Sequence, residues 1–501
     1  MAKSELKETE YKIEFVDRIL DPVHGFIDLT QVEKEIIELP IFKRLQSLKQ
    51  LSLTNWVFPG AEHTRYMHSL GVMYIADLMA INIKTTDYKI VYNDGQRQLL
   101  RLAGLLHDIG HYPLSHVTEY VYNSKLLEEN QSLYDYNQSV KAKIDSLIEP
   151  DCSVPDYMKH RYSKPMHHET MGTEVIKCDN DIKRIIEKYC PFIDLNDIND
   201  IIVGCVDRNP QISAMVQLIH SEVDADGIDY VMRDATFSGT SYGGFELGLL
   251  LRNLVISKYY DIDIVGIRPK GISVVDQYLV SKYFAYTQVI FNRHVAIYDT
   301  MAEMFTKTLI KLPKSCYPNA KTLLAYVRNH SKNDEYLKFT DRTFWTQLDS
   351  LNKSDVDLDD YVSKYMVKIH EKLQHYQEFQ SAKENEYIIT SNDKTDVYQS
   401  ISEKEIYRNL DSKDENRLML YHEKGFTTEI PEKDFRKQID AINKNPITDE
   451  EFVEFNTKRL QEGVAVIETE QNMHLLVDDT KSIMSHLYDT KTYILREYIV
   501  T

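Results

Sequence analysis

The sequence predicts a mainly α fold: a large helical core that carries a small β-hairpin, followed by a mixed α/β extension. Three observations predict it. Leu99, Leu102, Ala103, Leu106 and Ile109 recur at three- and four-residue spacing, the apolar stripe of a buried amphipathic helix, and a further helical stripe includes Met171, Val175 and Ile176. IVGIRPKGISVV, between residues 263 and 275, reads as a β-hairpin turning at RPKG. Beyond about residue 310, the helical patterns of DEYLKFTDRTFWTQL and of Val362 to Phe379 are accompanied by the strand-like EYIITS, EGVAVIETE and KTYILREYIV. Residues 1–310 are therefore expected to form the core, with an insertion at 120–166, and residues 311–501 an α/β extension for packing or oligomerisation.

In chain order, ILDPVHGFIDLT (residues 19–30) mixes β-branched residues with Pro and Gly, a short strand or turn ahead of the helices. Val32 to Leu51 is helical in period and interrupted at Pro40. The turn Phe58-Pro59-Gly60 leads to His63, Arg65 and His68, and His68 stands at the start of an apolar helix running on from Leu70. The helix containing Leu99 to Ile109 is expected to stop at Gly110 and Pro113, which places His107 and Asp108 on its last turn. Unsatisfied carbonyls there favour a cation. Residues 120–166 lose the periodicity and carry Pro150, Pro155 and Pro165, as an inserted subdomain or lid would. Met166-His167-His168-Glu169 then opens another helix, and Tyr278 to Leu309 is helical again.

Composition narrows the function. With 78 acidic against 59 basic residues the net charge is -19, a surface that repels DNA, RNA and anionic lipid, so a nucleic partner is expected only as a small nucleotide in a local basic pocket. The five cysteines show no CxxC spacing and no paired pattern, which fits a reduced cytoplasmic compartment and supports neither a thiolate zinc site nor a disulfide framework. No apolar run of 18 or more residues occurs, so no membrane association is expected.

Chemistry concentrates in two stretches. Eight of the 17 histidines lie between positions 63 and 168, about a fifth of the chain. Asp224, Asp226, Asp229 and Asp234 put four carboxylates in eleven residues, with Asp226, Asp229 or Tyr230, and Arg233 on one helical face. If His68, His107, Asp108 and Asp226 converge, two neutral imidazoles and two carboxylates make a site for a divalent metal: Mn, Fe, Co or Zn, with Mg possible. His111 and His116 then stand near enough to bind phosphate or donate a proton. Glu119, three residues after His116, can orient its ring and raise its pKa, and Arg65 is the charge clamp. His63, His160 and His167 read as hydrogen-bonding or surface residues, and Asp224 and Asp229 as helix support.

DPVHGFIDL, FPGAEHTRYMHSLGV, LLHDIGHYPLSH, HHE and DADGIDYVMRD, in this order from about Asp21 to Thr300, resemble the HD-domain superfamily. Within it the chain is similar to the deoxynucleoside triphosphate triphosphohydrolase branch of dGTPase and dNTPase enzymes. The resemblance implies an HD-domain helical core and cleavage of a dNTP between the 5′ oxygen and the α-phosphorus, giving deoxynucleoside and triphosphate. By position it assigns His68, His107, Asp108 and Asp226 to the metal, and His116 with Glu119 to the general acid. It assigns Gln50, Arg65, His111, His168, Tyr230, Asp234 and, by a looser alignment, Lys282 to substrate contacts. Relatives form dimers, tetramers or hexamers, so a homo-oligomer is expected.

Three departures bear on substrate. Gly227 follows the last metal residue where the animal enzymes have a basic side chain. Ile290, Phe291 and Asn292 replace a Tyr-x-His found in many bacterial relatives, and Glu38, Lys43 and Gln46 replace the triplet that reads an activating guanine. The alternative is an HD phosphodiesterase or phosphatase acting on another nucleotide (a monophosphate, an alarmone or a cyclic signal). A nucleotide-binding scaffold without turnover is a third. Products separate them.

Overall fold

A computed structural model describes residues 7–123, 133–148, 165–311, 315, 317–351, 385–413, 417–435, 448–470 and 472–499. The chain opens with an antiparallel hairpin, β1 (Phe15–Asp21) and β2 (Gly25–Thr30), and α1 (Gln31–Ile37) follows directly. The helical pattern after Val32 breaks before Pro40, as expected, and resumes only as short turns through Ser47.

The centre is the pair α2 (Arg65–Asn82) and α3 (Asp94–Leu106), with the two-residue strand β3 (Lys84–Thr85) between them. Gly104 lets the pair approach closely, since a Cβ there would lie 3.2 Å from the Met73 Cα. Arg101, fully buried on α3, donates to Glu33 of α1 and Asp77 of α2, so one guanidinium ties three helices together. Such a buried charge is tolerable only because both carboxylates satisfy it.

Next come α4 (His116–Asn123), α5 (Leu133–Asp145), α6 (His168–Cys178) and α7 (Ala225–Ser238). The expected hairpin is present but sits earlier than predicted. Its strands are β4 (Leu254–Tyr259) and β5 (Ile262–Ile267), turning at Tyr260 and Asp261 with φ of 47° and 67°. No Asn-Gly or Asp-Gly marks that turn, which is why the sequence concealed it. The RPKG segment instead leads into α8 (Ile272–Phe284). A π-helical turn, Ala285–Ile290, follows, and then α9 (Arg293–Lys311).

The extension supplies β6 (Asn385–Ser391), α10 (Lys394–Ser402), β7 (Arg417–Gly425), β8 (Ala465–Thr469), β9 (Asn472–Leu475) and β10 (Lys491–Ile499). The three strand-like segments of the sequence are thus strands; Val362 to Phe379 and His160 lie outside the described residues. Its strands do not stand apart from the core. β8 pairs in parallel with β5, completing a five-stranded sheet ordered β3-β4-β5-β8-β9, while β6-β10-β7 form a second sheet. Side-chain alternation splits β7. Leu418 and Leu420 enter the main core, and Met419 packs in a second cluster with Val140 and Ile144 of α5 and Val397 and Ile401 of α10. Helix α5 therefore packs on β7 and α10. Among the described residues, no helix is long and apolar enough to cross a membrane.

Candidate active site

The end of α3 builds the first half of the site. The helix stops at Leu106, ahead of Gly110 and Pro113, and His107 forms its cap. His107 Nδ1 lies 2.7 Å from the Gly104 carbonyl, so the ring satisfies a terminal helix acceptor. That bond fixes the tautomer and leaves Nε2 facing inward, buried and without a hydrogen-bond partner.

His68, on the first turn of α2, is held the same way from another direction. Its Nδ1 is 2.7 Å from Asp229 Oδ2 on α7, and its Nε2 is a second buried nitrogen without a properly aligned hydrogen bond. Asp226 Oδ1 lies 2.8 Å from His68 Nε2 and 3.8 Å from His107 Nε2. The three side chains offer atoms all within 4.8 Å of one another, the spread of a cation's ligand shell. Asp108 adjoins them at 3.4 Å from His107 Nε2 and 3.8 Å from His68 Nε2. Its Oδ2 also accepts from Arg65 Nη1 at 2.7 Å. Although burial would raise it, Arg65 and the neighbouring histidines hold the Asp108 carboxyl well below the usual range, so it is ionised. Two inward-facing imidazole nitrogens with two carboxylates suit a divalent metal of mixed N/O preference.

Asp229 was expected to support its helix. It does more, because it accepts from Arg233 at 2.8 Å and also contacts His24 and His68. Burial alone would raise this carboxyl; Arg233, His24 and His68 keep it well below its ordinary range. A carboxylate behind a metal-facing histidine orients the ring and strengthens it as a ligand. The Asp229–Arg233 spacing of four residues was visible in the sequence; His24 and Asp21, which completes the network through Arg233, were not.

Residues 107–116 form a tight bend that carries three more groups. Leu114 and Ser115 both take φ of 53°, a left-handed conformation costing a side-chain-bearing residue on the order of 1–3 kcal/mol. The bend is held by Asp341, whose carboxylate accepts from Leu114 N at 2.8 Å and Lys49 N at 2.9 Å, and by Ser115 Oγ, which donates to the Lys49 carbonyl. Arg65 donates to Ser115 Oγ, to Asp108 and to the Gln50 carbonyl, while the buried Gln50 Oε1 has no partner. His111 lies past the helix end, and both its ring nitrogens are buried without a hydrogen-bond partner. Burial, with Arg65 nearby, lowers its pKa well below 6.5, so this ring is neutral.

His111 stacks on His168 at 4.2 Å, and the His116 ring is 4.9 Å from His111. Glu119 Oε2 sits between two of these rings, 2.9 Å from His116 Nδ1 and 3.1 Å from His168 Nδ1. At His168 burial would lower the pKa, but Glu119 outweighs it and raises it to about 9. The carboxylate is shared with His116, whose side chain is exposed.

Gly110 allows α6 to reach this bend. A Cβ at Gly110 would lie 2.1 Å from Gly172 N and 2.3 Å from the His168 carbonyl, both backbone atoms. Gly110→Ala is therefore expected to cost at least about 2 kcal/mol and to push His168 away from His111, read as a lower denaturation midpoint together with reduced activity.

The remaining expected substrate residues have surroundings of their own. Asp234 is tied to His63 at 2.8 Å, and Lys282 Nζ donates to the Glu222 carbonyl at 3.2 Å. Tyr230 is half-buried one turn beyond Asp226. At Gly227 a Cβ would lie 2.4 Å from the Tyr278 hydroxyl, so Tyr278 fills the space a side chain would need.

The helix end and the crossing helix that bring these histidines and aspartates together lie within or beside a matched segment: residues 65–146 match the family model described as HD domain. It is 31% identical over 283 residues to an uncharacterized protein, MJ1154, of Methanocaldococcus jannaschii, spanning 56% of this chain and 48% of that one. It is 28% identical over 239 residues to the deoxynucleoside triphosphate triphosphohydrolase SAMHD1 homolog of Dictyostelium discoideum, spanning 47% of this chain and 39% of that one. The chain thus covers about half the length of the first relative and less of the second. A crystal structure of a hypothetical protein from Aquifex aeolicus shares the fold with a TM-score of 0.63 at 21% identity, across 96% of both chains.

Proposed function

We propose that the chain is a divalent-metal-dependent phosphohydrolase that cleaves deoxynucleoside triphosphates to deoxynucleoside and inorganic triphosphate. The observation that carries the metal is the convergence of His68 and His107 on Asp226, each ring fixed through Nδ1 with its buried Nε2 turned to that carboxylate. The likeness to the SAMHD1 homolog of Dictyostelium discoideum supports the substrate.

His68, His107, Asp108 and Asp226 would hold the ion. When bound, a divalent cation there supplies Lewis acidity toward phosphate and water. The chain's own groups do the rest. Arg65, already aimed by Ser115 and Gln50, orients and neutralises a phosphate. The two unpaired nitrogens of His111 and the ring of His168 line the adjoining wall, where they contact phosphoryl oxygens. His116, with its Nδ1 on Glu119 and its ring exposed, presents Nε2 to the leaving 5′ oxygen as a proton donor.

Product analysis tests the proposal: the purified chain with Mn²⁺ or Mg²⁺ and each dNTP, singly and mixed. Intact triphosphate with free deoxynucleoside is the expected result. Orthophosphate, pyrophosphate or a linearised nucleotide as product would replace it with the phosphatase or phosphodiesterase alternative.

A further inference from the structure

We infer that Arg44 and residues 336–341 form a clasp that sets the 111–116 bend in its working position. Arg44 and Asp341 are then positioning residues for His111 and His116, and the start of the extension belongs to the catalytic unit. The inference rests on the coarser part of the reading above, a metal-dependent phosphohydrolase, and adds residues to it.

The bend needs outside support. Leu114 and Ser115 are consecutive left-handed residues, and such strain persists only where surrounding contacts over-determine it. Two groups assigned to chemistry depend on the result. The His111 ring nitrogens make no hydrogen bond and the His116 side chain is mostly exposed, so the backbone decides where both rings stand.

Arg44 grips one end of the bend. Its Nη2 donates to the His111 carbonyl at 2.8 Å, and the His111 amide donates in turn to the Asp108 carbonyl at 3.0 Å, so the backbone is anchored on both sides of this histidine. The rest of the guanidinium faces the extension. Nε donates to the Tyr336 carbonyl at 3.0 Å, Nη2 also reaches the Phe339 carbonyl at 2.9 Å, and Cζ lies 4.2 Å from the centroid of the Tyr336 ring.

Asp341 grips the other end. One carboxylate oxygen takes the Leu114 amide and the other takes the Lys49 amide. Lys49 bridges to Thr64, and the Arg65 amide donates to the Leu48 carbonyl at 2.9 Å. Six residues of the extension thereby hold the histidine bend and the segment beside Arg65 in one register.

Stability alone does not account for Arg44. It is 3% exposed, its acceptors are main-chain carbonyls, and its Nη1 is buried without a hydrogen bond, while the nearby Asp341 spends both oxygens on amides. A buried cation with an unsatisfied N–H carries a cost that an apolar side chain of similar size would avoid. What the guanidinium supplies is geometry, because its rigid fork reaches carbonyls at three positions of the chain at once.

The test is steady-state kinetics of full-length Asp341→Asn and Arg44→Lys in Mn²⁺, with Mn²⁺ affinity and the denaturation midpoint measured on the same preparations. Asp341→Asn keeps the size but turns an NH₂ toward one amide, and Arg44→Lys keeps the charge but loses the fork. Per folded chain, kcat is expected to fall at least about tenfold in each variant, with KM within about threefold and Mn²⁺ affinity within about twofold of wild type. A displacement of about 1 Å costs on the order of 10²-fold in rate, whereas His68, His107 and Asp226 lie outside the bend. A role in packing alone predicts a lower midpoint with kcat of the folded chain unchanged. If Arg44→Lys does not fold, Asp341→Asn decides. A smaller loss of kcat, or a loss that tracks weakened Mn²⁺ binding, overturns the clasp and leaves the dNTP reading standing. A wild type that hydrolyses another nucleotide but no dNTP removes the dNTP reading alone, and the same comparison on that nucleotide decides the clasp. A wild type that hydrolyses no nucleotide removes both.

Discussion

Replacing His107 by alanine is expected to lower kcat by at least about 10³-fold on any substrate the site accepts, with the fold intact. A divalent ion contributes several kcal/mol to a hydrolytic transition state, and each 1.36 kcal/mol is tenfold in rate. Removing one of two imidazoles leaves His68 and Asp226 as neighbours without the nitrogen that completes the trio. The structural cost should be small, because His107 makes a single side-chain hydrogen bond to the Gly104 carbonyl at a helix end. Turnover by the purified variant, with its circular dichroism matched to wild type, checks both halves.

Asp229→Ala is expected to fail differently. It removes no ligand, yet metal affinity should fall about 10- to 100-fold, since His68 loses the acceptor that fixes its ring. Stability should drop as well, on the order of 3–5 kcal/mol, because Arg233 is left buried with only Asp21 to balance it. Gly71 points to the same crowding: a Cβ there would lie 1.9 Å from Asp229 Oδ1. Chemical denaturation together with metal titration separates the two effects, and excess Mn²⁺ should recover part of the activity in Asp229→Ala but not in His107→Ala.

The contrast shows what could be read from the chain. His68, His107, Asp108 and Asp226 were legible because their residue types are rare as a set and their helices announce themselves by period. Asp229 was seen and given only part of its task, since i,i+4 spacing to Arg233 reveals the helical pair but not the histidine that approaches from α2. His24, inside a quoted motif, and Asp341 were given no role: each reaches its partner across more than 200 residues, and nothing in local sequence encodes such a partner. The misplaced hairpin has a local cause instead, a left-handed turn built from Tyr and Asp without glycine.

The most direct measurement of the central claim is Mn²⁺ binding to the metal-stripped, full-length chain by calorimetry, compared across wild type, Asp229→Ala and His107→Ala. The account predicts about one tight site per chain in wild type, weakened in Asp229→Ala and lost in His107→Ala, as expected of a site whose ligands are these side chains. Equal Mn²⁺ affinity in wild type and His107→Ala would contradict it.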